Sequence, residues 1–125
     1  MTVLEALAIL EAAVLECKKK DINTSEVNDA LDLLGRYIWP KWLIPQFRHH
    51  IKNEEQPLEK REGQQQLLRA TFPGIRDSVR VLLEVRMDAL ARKSHETKDL
   101  TISDEIYRLA GEHIKLEQPW KFVLI

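Results

Sequence analysis

The sequence predicts an all-α fold, a compact bundle of about five helices forming a single domain over residues 1–125. Three observations lead there. Apolar residues recur at alternating spacings of three and four in several long segments, no segment sustains the strict alternation of a strand, and proline and glycine fall between the periodic stretches. The length of 125 residues is that of one domain, long enough to bury a self-sufficient core.

The first helix carries the clearest pattern. Thr2 followed by Glu5 matches a capping box, and Val3, Leu7, Leu10, Val14 and Cys17 form a seam along one face. Ala6, Ala8, Ala12 and Ala13 permit close approach by a second neighbour, and Lys18 to Lys20 suit the carbonyl end of the helix. Bundle packing is the expected use of the seam. Self-association of two copies through this helix is the other use that its pattern fits.

A second helix is expected from Thr24 or Ser25 to about Ile38, with Val27, Ala30, Leu31, Leu34 and Ile38 inward. Pro40 ends it, because a residue before proline is pushed out of helical geometry. A third is expected over Lys41 to Lys52, with an irregular start caused by Pro40 and Pro45. After a polar connector, a weakly amphipathic helix runs from Leu58 to about Thr71, where Pro73 and Gly74 interrupt it. From Ile75 to about Lys93 a strong helix shows Ile75, Val79, Leu82, Leu83, Met87 and Leu90 on one face and Val81 with Val85 on another. Apolar on two sides, it is expected at the centre of the bundle. Following a loop over 94–100, Thr101 or Ser103 caps a last helix with the seam Ile102, Ile106, Leu109, His113 and Leu116. The apolar end, Trp120 to Ile125, is expected to pack back on the bundle.

Charge is nearly balanced, with 19 Lys and Arg against 20 Asp and Glu, but it is segregated. Residues 1–35 sum to −4, residues 36–52 to +4, and the remainder to −1. No Asp or Glu occurs between Leu33 and Asn53, where Tyr37, Trp39, Trp42 and Phe47 supply half of all the aromatic side chains. Cations and flat apolar area coincide only here. The candidate partner-binding set is therefore Arg36, Trp39, Lys41, Trp42, Phe47, Arg48, His49, His50 and Lys52. Turned inward, the same rings would instead form the core of a tight interhelical corner.

Catalytic chemistry has little support. Glu59 with Glu62, and Glu84 with Asp88, are spaced to share helix faces, and a carboxylate metal site for nucleotide hydrolysis is the nearest enzymatic reading. The second pair is spaced four apart where that chemistry wants three, and Lys60, Arg61 and Arg86 lie beside the acids. His113 falls on an apolar seam, which favours a hydrogen-bonded core imidazole. Cys17 lies on the inner seam, and as the only cysteine it forms no intrachain disulfide. The chain has no glycine-rich phosphate loop, and no cofactor or metal is expected.

The expected function is a non-enzymatic protein-binding domain, an adaptor, regulatory or complex-subunit module, with the basic and aromatic corner facing a protein partner of acidic surface. The alternative is a nucleic-acid-binding or ribonucleoprotein subunit using the same corner with Arg69, Arg76 and Arg80. A net charge of −1 counts against a broad phosphate-binding surface. No membrane-spanning run is present in the sequence, and a reducing cytoplasmic setting fits the lone cysteine.

Overall fold

A computed structural model describes residues 1–51, 58–97 and 100–117, with side chains over 1–51, 63–96 and 102–116. Among the described residues the chain forms five helices and no strand: α1 (Val3–Glu16), α2 (Ser25–Leu34), α3 (Leu43–Ile51), α4 (Leu58–Thr97) and α5 (Leu100–Glu117). The expected fold-back of residues 120–125 lies outside the described residues.

Local chemistry sets the helix ends. Thr2 and Thr24 each turn a side-chain oxygen onto a free backbone donor, accepting from Glu5 N–H at 3.1 Å and Val27 N–H at 3.2 Å. The Thr2 half of the capping box forms, while the exposed Glu5 carboxylate makes no return bond to Thr2. α1 stops at Glu16 and leaves Lys18 to Lys20 in the following turn, where Lys20 pairs with Glu16 at 2.8 Å. α2 stops at Leu34, and the chain continues through a tight turn to the buried Ile38. The Trp39–Pro40 peptide bond is cis.

The sequence expectation of two helices separated at Pro73 and Gly74 is corrected. α4 runs unbroken through both for 40 residues, about 60 Å. Proline removes one ladder bond and crowds the preceding turn, a cost of roughly 3 kcal/mol. Packing outweighs it: Leu68, Phe72, Ile75 and Val79 continue a single buried seam across the proline, and all four are fully enclosed. Gly74 allows the backbone of α4 to approach α3, since a Cβ there would lie 3.1 Å from Leu43 Cδ2.

α4 is the pillar on which the other elements stand. α1 runs antiparallel to its N-terminal half, with the buried Gln65 amide donating to the Val14 carbonyl at 3.0 Å and Leu4 packing against the apolar cluster that contains Leu83. α3 is antiparallel as well, Leu43 lying at Gly74 and Gln64 donating to the His50 carbonyl at 2.6 Å. α2 covers α1 and touches α3. α5 folds back along the C-terminal half, linked by Arg86 to Glu105 at 3.4 Å, Glu84 to His113 at 2.8 Å, and Arg76 to the Lys115 carbonyl at 3.3 Å.

Two apolar clusters result. The larger joins α1, α2, α3 and the N-terminal half of α4 around Phe47 and Phe72, and the smaller places Leu83 and Leu90 against Ile102 and Leu109. Leu4 and Leu116 bridge them. Leu7, Leu10, Val14 and Cys17 of the first-helix seam are all buried within the chain's own core. A second copy cannot use that stripe. Among the described residues no helix is long and apolar enough to cross a membrane.

Candidate docking site

The connection between α2 and α3 is held in place by hydrogen bonds while its rings face outward. Ile38 is buried under the turn, and Leu43, Ile44, Phe47 and Ile51 anchor α3 in the core at intervals of three and four. Trp42 falls off that seam, and Trp39, although four residues before Leu43, lies outside α3 on the far side of Pro40. Trp39 and Trp42 are 71% and 61% exposed, and Tyr37 beside them is 49% exposed. The backbone N–H of Trp39 donates to Ser78 Oγ at 3.0 Å, which fixes the corner against α4.

The cations divide into two groups. Arg48 is structural: its guanidinium bonds Asn28 Oδ1 at 2.9 Å and Asp32 Oδ1 at 2.6 Å, tying α3 to α2. Arg36 is exposed, and its guanidinium has no hydrogen bond or ion pair among the described residues, while Lys41 Nζ meets only the Gly35 and Arg36 carbonyls there, both at 3.5 Å. Among the described residues no carboxylate pairs with Arg36 or Lys41, which flank the two indoles in sequence.

The expected site is thus brought together in part. Arg36, Trp39, Lys41 and Trp42 share the exposed corner, and His49 is exposed on α3. Phe47 is a correction: it is fully buried, because it lies one turn from both Leu43 and Ile51 on the core seam, and its ring is closed to a partner. Arg48 is engaged with α2 and anchors the scaffold instead of the surface. His50 is half-buried, with Gln46 Nε2 3.1 Å from its Nε2. Burial first, and then the neighbouring His49, lowers the His50 imidazole below its ordinary value. Lys52 lies outside the described residues.

Arg69, Arg76 and Arg80 do not extend this corner. By helical geometry they lie about 160° to 200° around α4 from Ser78, on the opposite face. Arg76 reaches the end of α5, and Arg80 sits between Asp77 and Glu84 at 3.9 and 3.8 Å. The basic strip proposed for a nucleic-acid surface is therefore divided between two sides of the molecule. Glu84 is likewise engaged, bonding His113, whose side chain is only 12% exposed.

Sequence reasoning missed Ser78 and the exposure of Val81 and Val85. The two valines were expected to face a second neighbour, yet they are 48% and 61% exposed, because α1, α3 and α5 all pack elsewhere around α4. The second apolar side is real, and among the described residues nothing covers it. No protein-family model, curated protein or solved structure matches the chain.

Proposed function

We propose that the chain is a non-enzymatic protein-binding module whose corner, Arg36 to Trp42, receives an acidic protein surface. One observation carries this reading: two tryptophans are exposed beside two cations that no carboxylate pairs with among the described residues. Exposed indoles are the side chains that most often anchor interfaces, because they bury large area and lose little conformational freedom. Arg36 and Lys41 add long-range attraction for acidic partners and repel basic ones.

The rings sit on a stable base, with Ile38 and Phe47 buried beneath and Ser78 holding the turn, so little ordering cost is left for the moment of binding. The test compares proteins retained from source-cell extract by the wild-type chain and by the Arg36→Glu/Lys41→Glu variant, using quantitative mass spectrometry. Loss of an acidic partner from the variant, with far-UV circular dichroism unchanged, is the expected result. Equal retention by both forms would overturn the proposal.

A further inference from the structure

Three helices pack on α4, and they do not fill its sides evenly. Glu84 and Arg76, which bond His113 and the Lys115 carbonyl, mark the lane that α5 follows along the C-terminal half. By helical geometry Pro73 and Arg69 lie within about 60° of Arg76, so the same lane continues toward the N-terminus of α4 after α5 has ended at Glu117. No described helix continues in it. α2 covers α1 on the side of α3, and the other side of α1 turns the half-buried Leu4 and Leu15 toward the lane.

The end of α5 delivers the chain to this place. Val14 lies at Gln65 and the two helices are antiparallel, so Leu4, about 15 Å back along α1, stands level with Arg76 and the Lys115 carbonyl. α5 is antiparallel to α4 as well, and the chain therefore leaves Glu117 heading from Leu4 toward Leu15. Pro119 follows two residues later and does not continue a helix. Residues 118–125 reach roughly 26 Å when extended, against about 15 Å of lane between Arg76 and Gln66. In extended chain Trp120, Phe122 and Leu124 share one side, and Lys121 takes the other.

We infer that residues 118–125 occupy this lane, as extended chain between α1 and α4, with Trp120, Phe122 and Leu124 turned onto Leu4, Leu15 and Pro73 and Lys121 outward. The lane stands nearly opposite Ser78 on α4, so the inference is independent of the docking corner.

Trp39→Phe/Trp42→Phe leaves Trp120 as the only indole. Its emission should be blue-shifted from that of the urea-unfolded chain, and equally so at every protein concentration. Phe122→Asp and Leu15→Asp should each move the emission back toward the unfolded position and lower the melting temperature by about 5 °C or more, while Lys121→Asp changes neither. A nitroxide on Gln66→Cys, an exposed position beside the lane, should broaden the Trp120 indole proton resonance. The same label on Glu96→Cys, about 45 Å further along α4, should leave it sharp.

An emission equal to that of the unfolded chain overturns the inference. So does an enclosed indole that Leu15→Asp and the Gln66 label both leave unchanged, which would put the segment elsewhere on the bundle. Burial that grows with concentration would assign the segment to another copy and overturn it equally. The nitroxide measurement decides alone if Leu15→Asp fails to fold.

Discussion

Trp39 and Ser78 are joined by a 3.0 Å hydrogen bond from the tryptophan backbone N–H to the serine hydroxyl, across 39 residues of sequence. Among the side-chain hydrogen bonds described, it is the one that runs from the exposed corner to the pillar helix. It satisfies a donor that the turn itself leaves unused, and it determines the side of α4 on which the indoles stand.

Ser78→Ala therefore removes the acceptor while leaving the fold seam intact. A neutral hydrogen bond contributes about 1 kcal/mol net, and alanine returns a few tenths through helix propensity. Urea unfolding should show a net loss of roughly 0.5 to 1 kcal/mol. Indole fluorescence should shift as Trp39 loses its fixed position. An unchanged emission spectrum would mean that the corner is held by other contacts.

Gln65 is the second buried polar group with a long-range task. Its amide donates to the Val14 carbonyl at 3.0 Å, in the last turn of α1, where carbonyls lack helical partners. Gln65→Met keeps the volume but not the donor, and leaving that carbonyl short of a partner should cost about 1 to 3 kcal/mol. Differential scanning calorimetry checks this, and a variant as stable as the wild type would show that Cys17 Sγ, 3.4 Å from the same oxygen, is enough.

Much of the core was legible, and the reasons for the failures are specific. Leu7, Leu10, Val14 and Cys17 could be read because a buried stripe needs only local spacing. Phe47 could have been separated from Trp42 by the same rule, since Leu43, Phe47 and Ile51 repeat every four residues while Trp42 falls outside; Trp39 continues that spacing, and it is exposed because it precedes Pro40 and lies outside α3. The unbroken α4 was hidden because Pro73 is a strong local signal, whereas the seam that overrides it, Leu68 to Val79, gains its energy from α1 and α3. Arg48 was misread for a related reason: its partner Asp32 is distant in sequence, and spacing alone cannot pair them.

That pair makes a measurable claim. Arg48 is 27% and Asp32 67% exposed, so solvent screens much of their attraction despite the 2.6 Å contact. A double-mutant cycle with Arg48→Ala and Asp32→Ala should return a coupling of about 0.5 to 1 kcal/mol. Arg48→Ala alone should cost more, because it also releases Asn28 and strips methylene packing. A coupling near zero would leave Asn28 and packing as the connection between α2 and α3.

His50 supplies a pH dependence whose sign follows from its surroundings. Burial, then His49, lowers its folded pKa from the ordinary 6.5, so the unfolded chain binds the proton more readily than the native one. The contribution is fully present above pH 6.5 and is lost as pH falls through the lower folded value. The contact from Gln46 agrees in direction, because an amide donor 3.1 Å from His50 Nε2 requires that nitrogen to be unprotonated. Between about pH 7 and pH 5, the melting temperature of the wild-type chain should fall more than that of His50→Gln, which keeps a polar side chain but does not titrate. Other carboxylates and histidines titrate in both proteins, so the difference between the two curves isolates this ring. Histidine proton resonances followed over the same range give an independent reading, and a His50 midpoint at or above 6.5 in the native chain would reverse the expected slope.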